Sequence, residues 1–199
     1  ADCYRNPVLV LADGLTGQMM EPIEWHEIPH RELPPKDWAT TGKHGRSHPN
    51  FVTSLSIDPN DCNEMNQRLA RKYALITEKE IRYEAKDCED AEVVLVAYGT
   101  PARVVLSAIE ELRRQGVKAG LFRPITLWPF PEKQLHDLAG EDHVKVVVDV
   151  EMSLGQMIDD VRLAVEGQKP VKFAGVAGGL IPTVEDIVEA AKNALKEAE

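Results

Sequence analysis

Three apolar runs organise the second half of this chain: Ala91-Glu-Val-Val-Leu-Val-Ala-Tyr-Gly99, Gly120-Leu-Phe-Arg-Pro-Ile-Thr-Leu-Trp-Pro-Phe-Pro131 and Val144-Lys-Val-Val-Val-Asp-Val-Glu151. Each opens as a strand that is apolar on both faces and then gives way to a helical stretch. Strands of that kind joined by helical crossovers predict a parallel sheet covered on both sides. After the first run, Val104, Val105, Ala108, Ile109 and Leu112 line one helical face, with Thr100-Pro101 as cap and opening and Gly116 as the end. Leu154, Met157, Ile158, Val161, Ala164 and Val165 form the inward stripe of the next helix, and Ser153 with Gln156 has capping-box spacing. Thr183 with Asp186 gives a related signal before a last helix striped by Val184, Ile187, Val188, Ala191, Ala194 and Leu195. Lys172-Phe-Ala174 adds a short strand ahead of Gly175, Gly178 and Gly179. The expected fold class is α/β: a three-layer, open, mainly parallel sheet of four or five strands with helices on both faces, over residues 90–199.

The preceding residues follow a different grammar. Pro7-Val-Leu-Val-Leu-Ala12 reads as a strand buried on both faces, followed by the glycine-bearing turn Asp13-Gly-Leu-Thr-Gly17-Gln18. A strand of that kind needs neighbours on both edges, so residues 1–27 are expected to be the remnant of an upstream α/β domain in a longer polypeptide. Alone, it is expected to be disordered or paired with another copy, because both faces and both edges are open. Residues 28–57 carry Pro29, Pro34, Pro35, Gly42, Gly45 and Pro49 without clear periodicity, which predicts an extended arm with one short strand at Phe51–Ile57. Asp58-Pro59 then supplies an N-cap and a first helical proline. Met65, Leu69, Tyr73 and Ile76 follow at helical spacing, giving a bridging helix of about 59–82 within a 28–89 linker.

Charge narrows the function classes. The formal net charge of −10 argues against a nucleic-acid partner, which calls for clustered Lys and Arg. The apolar windows are strand-length, far short of the roughly 20 residues that span a bilayer, so no membrane partner is expected. Cys3, Cys62 and Cys88 are few, odd in number and widely spaced, which fits free thiols in a reducing cytoplasm. With no Cys-x-x-Cys pair, this chain is not expected to hold an iron–sulfur cluster or structural zinc by itself.

No self-sufficient catalytic constellation emerges. His26-Glu-Ile-Pro-His30 spells the zinc-protease pattern, but Pro29 removes a helical donor between two histidines that must share one helical face; solvated loop histidines are the better reading. Gly99-Thr-Pro-Ala-Arg-Val stands where a dinucleotide fold carries its glycine-rich turn, yet it has one glycine in place of three, leaving a plain strand-to-helix turn. Glu151, Ser153, Gly155 and Gln156 stand at the carboxyl end of a strand, where ligands and partners meet such sheets, and Arg123, Thr126 and Trp128 are expected beside them. A helix N-terminus there would suit an anion or a close-packed backbone, with capping and subunit packing the plainer explanation. In the proline-stiffened loop Arg123-Pro-Ile-Thr-Leu-Trp-Pro-Phe-Pro131, Trp128 and Phe130 are expected to be exposed next to Arg123, a composition enriched at protein interfaces.

Asp90 to Gly99, Gly120 to Pro131 and Glu151-Met-Ser-Leu-Gly-Gln-Met157 together resemble the alpha subunit of 2-oxoacid:ferredoxin oxidoreductases, in its transketolase C-terminal-like domain. Tyr4 to Gly14 with Gly17-Gln-Met-Met-Glu21 resembles the end of the preceding pyrimidine-binding domain, and Pro35-Lys-Asp-Trp-Ala-Thr-Thr-Gly42 is most similar to the 2-oxoisovalerate branch. The resemblance implies oxidative decarboxylation of a 2-oxoacid on thiamine diphosphate, electron transfer through iron–sulfur clusters to ferredoxin, and release of an acyl-CoA. It also implies that thiamine diphosphate, magnesium and the clusters lie on partner subunits, with homodimerisation as a further partner expectation. The carboxylate that activates the cofactor's pyrimidine ring would lie upstream of Ala1. No catalytic, cofactor or metal residue is therefore assigned here, and the segment is expected to be an inactive assembly portion. Two alternatives stand beside this one: the corresponding domain of a thiamine-dependent 2-oxoacid dehydrogenase beta chain or transketolase, and a stand-alone acidic interaction module.

Overall fold

The computed structural model describes residues 1–27 and 31–198. These divide into two compact units, Ala1–Leu11 with Met20–Glu78, and Ala12–Met19 with Lys79–Glu199. Ile28, Pro29 and His30 lie outside the described residues, so the His26 to His30 motif has no structural account.

Most of helix α1, Pro59–Glu80, lies in the first unit. Asp58 opens it as expected: its carboxylate accepts from the N–H groups of Asn60 at 2.8 Å and Asp61 at 3.2 Å, meeting two of the donors that a helix start leaves open. The strands expected at Pro7–Ala12 and Phe51–Ile57 do not form. Val8, Leu9, Val10 and Leu11 are exposed, Val10 by 91%, because β-branched apolar runs become strands only where a neighbouring edge takes up their backbone groups.

The second unit carries the sheet. Its strands are β1 (Tyr83–Lys86), β2 (Val93–Val96), β3 (Ala119–Pro124), β4 (Val146–Glu151) and β5 (Val171–Gly175), in the order β1-β3-β2-β4-β5. All neighbours are parallel except β1, which pairs antiparallel with β3, Tyr83 opposite Pro124 and Lys86 opposite Leu121. The intervening helices are α2 (Gly99–Arg114), α3 (Glu132–Ala139), α4 (Met157–Val165) and α5 (Val184–Ala198). Alternation along the strands divides the core into two layers. Val93, Leu95, Leu121, Val146 and Val148 pack with α2 and α5 through Val105, Ile109, Leu112, Ile187 and Ala191. Val94, Val96, Phe122 and Val147 pack with α3 and α4 through Leu135, Met157, Val161 and Val165. The expected three-layer α/β fold is the observed one.

Strand β1 departs from the sequence pattern. Tyr83-Glu-Ala-Lys86 is exposed at every position, and four residues are too short an alternation to announce a strand; it is one because β3 offers an edge. Tyr83 stacks on Phe122 with ring centroids 5.4 Å apart. The Arg82 N–H donates to Thr126 Oγ1 at 3.0 Å, and its carbonyl accepts from the Ile125 and Thr126 N–H groups. Gly120 makes room for the turn into β2, since a Cβ there would sit 2.5 Å from the Asp87 carbonyl oxygen. Arg113 closes the same corner, donating to the carbonyls of Asp87 and Ala119 and to Asp90 Oδ1 at 2.7–2.8 Å.

The helix starts also differ in detail. Helix α2 begins at Gly99, whose φ of +59° turns the chain out of β2, a conformation that favours glycine. Thr100 lies inside the first turn and does not cap. Thr183 and Asp186 do form the reciprocal pair expected of them: the Asp186 N–H donates to Thr183 Oγ1 at 3.1 Å, and the Thr183 N–H donates to Asp186 Oδ2 at 3.0 Å.

Candidate functional site

The sheet order sets the location. From β2 the chain moves outward to β3, then returns past β2 to β4 and continues to β5. Neighbouring strands β2 and β4 therefore send their connections to opposite sides, and the crevice at their carboxyl ends is the switch point where such sheets take ligands and partners. Tyr98, Gly99 and Thr100 reach it from β2; Asp149, Glu151 and the 152–156 loop reach it from β4.

Glu151 is the organising side chain. Only 3% exposed, it accepts from the Gln156 N–H at 3.0 and 3.1 Å, the Ile158 N–H at 3.0 Å and the Ser153 hydroxyl at 2.9 Å. Ser153 Oγ in turn accepts from the Gly155 N–H at 2.9 Å. Burial pushes the Glu151 carboxyl up, but its link to Asp149 and the N–H groups of Gln156, Ile158 and Met157 outweigh burial and hold it below the usual range. The expected Ser153–Gln156 capping box is thus replaced: the cap of α4 comes from the end of β4, with Ser153 bracing it. The loop turns outward, so Leu154 is 88% exposed and leaves the predicted inward stripe, while Met157, Ile158, Val161, Ala164 and Val165 are buried as expected.

This arrangement also answers the question of an anion. The open N–H groups at the start of α4 are already satisfied by a carboxylate of the same chain, and a second acid, Asp149, lies one pleat behind it. At the start of α4 a diphosphate would meet two carboxyls and N–H groups already taken by Glu151, so thiamine diphosphate does not fit at that helix N-terminus. Among the described residues, no three His, Cys, Asp or Glu side chains gather to hold a metal ion.

Asp149 is the residue that sequence reasoning missed. It is 0% exposed, and neither of its oxygens has a formed hydrogen bond. Burial first, then hydrogen-bond coupling to Glu151 and the charge of Glu151, push its pKa up to about 9, with Arg162 pulling weakly the other way. With no donor on either oxygen and an ionised Glu151 nearby, Asp149 is the carboxyl of the pair that favours its protonated form. The visible signal was an acid interrupting the run Val146 to Val150. Tyr98, half-buried at the end of β2, has its hydroxyl pKa raised by burial and then by Glu151 and Asp149.

The opposite lip of the crevice is formed by the 13–16 turn. Thr100, buried, places its hydroxyl 3.4 Å from Thr16 Oγ1, and the Thr16 N–H donates to Asp13 Oδ1 at 2.7 Å. The Thr100 hydroxyl, with Thr16, holds the Asp13 carboxyl below its ordinary range.

The second group of expected site residues lies elsewhere. Arg123 pairs with Glu84 of β1 at 3.3 Å, and Thr126 ties the following loop to Arg82 at the β1 edge. Strand β2 separates β3 from β4, so these residues do not join Glu151 in one site. Trp128 is 59% exposed, as expected, but Phe130 is only 6% exposed. Phe130 packs under α3 with Leu135 and Ala139, because the loop folds back after Pro129 and uses the second aromatic as an anchor.

The match to Pyruvate:ferredoxin oxidoreductase core domain II spans residues 91–187, from the start of β2 into α5. Residues 91–187 are thus similar to that family. The ketoisovalerate oxidoreductase subunit VorB of Methanothermobacter marburgensis is 43% identical to this chain over 188 residues, 94% of this chain and 52% of the relative. The 2-oxoglutarate synthase subunit KorA of the same organism is 30% identical over 213 residues, 94% of this chain and 56% of the relative. The chain spans about half the length of these curated relatives. A solved structure of 2-oxoglutarate:ferredoxin oxidoreductase from Magnetococcus marinus superposes with a TM-score of 0.58 at 20% identity, covering 77% of this chain and 26% of that one; this agreement is one of fold. The matched segment includes the ends of β2 and β4, their carboxyl pair and the Trp128 loop.

Proposed function

We propose that this chain is the C-terminal, assembly-forming portion of the alpha subunit of a thiamine diphosphate-dependent 2-oxoacid:ferredoxin oxidoreductase acting on a branched-chain 2-oxoacid of the 2-oxoisovalerate type. The observation that carries the reading is the graded similarity: 43% identity to a ketoisovalerate subunit against 30% to a 2-oxoglutarate subunit, each over 94% of the chain. The start of α4 supports the division of labour, because its N–H groups are already taken by Glu151. Thiamine diphosphate, magnesium, iron–sulfur clusters and coenzyme A are then handled by partner subunits, ferredoxin meets the assembled enzyme, and the complex works in the cytoplasm. Domain boundaries near residues 28 and 90 follow from the same reading, with 1–27 completing an upstream domain. The interface candidates are Arg123, Thr126, Trp128 and Phe130 on one side, and Glu151, Ser153, Gly155 and Gln156 on the other.

The test is reconstitution. The complete alpha subunit, co-expressed with its partner subunits, is assayed for coenzyme A-dependent ferredoxin reduction with 2-oxoisovalerate, 2-oxoglutarate and pyruvate. Fastest reduction with 2-oxoisovalerate is expected. Preference for another 2-oxoacid overturns the substrate assignment; acyl transfer to lipoate without ferredoxin reduction overturns the enzyme class. Calorimetric titration of this chain with thiamine diphosphate and magnesium is expected to show no binding, and a saturating heat signal would refute the division of labour.

A further inference from the structure

We propose that a protonated Asp149 behind an ionised Glu151 acts as a proton-linked latch, coupling the opening of the 152–156 loop and the first turn of α4 to the release of that proton. The two residues are i and i+2 on β4, so both point to the α3–α4 face, with Cα atoms about 7 Å apart. The Gln156 and Ile158 N–H groups at the start of α4 converge on Glu151, while among the described residues no donor reaches Asp149. The charge accordingly belongs on Glu151 and the proton on Asp149: one carboxyl has the donors that stabilise an anion, the other is buried without a donor beside a negative charge. The other groups acting on the pair are Tyr98 at the end of β2, and Arg162 and Asp160 of α4. Burial raises both the Tyr98 hydroxyl and the Asp160 carboxyl, so each favours its neutral form more than it would in water.

Lifting the loop and the first turn of α4 wets Asp149 and returns it to an ordinary acid. The closed form binds a proton that the open form releases, so rising pH favours opening. The sign is fixed by linkage: closure is strongest below the open-state pKa near 3.8, weakens as pH rises, and stops weakening above about 9. Glu151 opposes this only at the acid end, where its depressed pKa makes closure weaken as pH falls. Exposed Leu154 rides on the moving segment, so the face presented at the crevice follows the latch.

The experiment has two arms on the intact 199-residue chain. The first titrates the side-chain carboxyl carbons by NMR, with aspartate labelled. A buried aspartic acid still protonated at neutral pH is expected, and its disappearance in Asp149→Asn assigns it. An ionised Asp149 at neutral pH overturns the proposal without reference to any variant. The second measures hydrogen exchange at the Gln156 and Ile158 amides, corrected for base catalysis, with α2 and α5 amides reporting on the fold. Protection is expected to fall by up to about tenfold per pH unit between roughly pH 4 and 9 and then level off. Asp149→Asn, which keeps the shape and a donor but does not titrate, is expected to flatten that slope; an unchanged slope refutes the latch.

Discussion

Replacing Glu151 with Ala removes the one acceptor that three donors at the start of α4 share. Those donors are the Gln156 and Ile158 N–H groups and the Ser153 hydroxyl, at 2.9–3.1 Å from its carboxylate oxygens. A hydrogen bond to a charged acceptor contributes roughly 1.5–3 kcal/mol, and an ordinary cap lost to Ala costs about 0.5–2 kcal/mol. Ile158 lies buried under the loop, so its N–H finds no ready substitute in water. Against this, deletion removes the charge that disfavours ionisation of Asp149, which returns part of the loss. The expected net cost is about 3 kcal/mol, at the upper end of single-site effects. Glu151→Gln keeps one carbonyl oxygen for the two amides and should cost about half as much. Urea unfolding followed by far-UV circular dichroism measures both. With a slope of roughly 2 kcal/mol per molar, the midpoint should fall by about 1.5 M for Ala, at unchanged slope. A fall of less than about 0.3 M, or a Gln variant less stable than the Ala variant, would refute the role of Glu151 as the cap of α4.

Two further outcomes follow from the fold. Gly120→Ala drives a Cβ to within 2.5–2.9 Å of backbone atoms of Asp87 and Cys88, which should destabilise the chain by about 1–3 kcal/mol. Gly14→Ala, with open space around it, is the control; equal melting temperatures for the two variants would contradict the close crossing. Cys88 is buried, and burial pushes its thiol up to about 12, so a neutral-pH thiol titration should show Cys3 and Cys62 reacting well before it. Three equal rates would contradict that burial.

The periodicities in the sequence determined what local pattern can determine. Double-sided apolar runs specify β2, β3 and β4 because a strand flanked by strands and covered by helices must be apolar at every position. The stripes on α2, α4 and α5 specify which face each helix buries, and Thr183 with Asp186 caps α5 from three residues away. Resemblance in the same segments placed the chain near the oxidoreductase subunits that it matches.

Tertiary structure decided the rest, wherever a residue's role depends on a partner distant in sequence or on an edge. Tyr83–Lys86 is a strand only because β3 leaves an edge beside it, whereas Val8–Leu11, with the better strand composition, has no edge among the described residues and forms none. Arg123 and Glu151 both stand at strand ends, yet the strand order puts β2 between them and makes two surfaces out of one expected site. Phe130 and Trp128 are equivalent in composition, and only the path of the loop buries one and exposes the other. Glu151 caps a helix five to seven residues onward because the outward turn at Leu154 brings α4 back over the strand. The proton on Asp149 has the same origin: its own neighbours in sequence say only that an acid interrupts a buried run, and the charge it can carry is set by donors that the fold delivers to Glu151 instead.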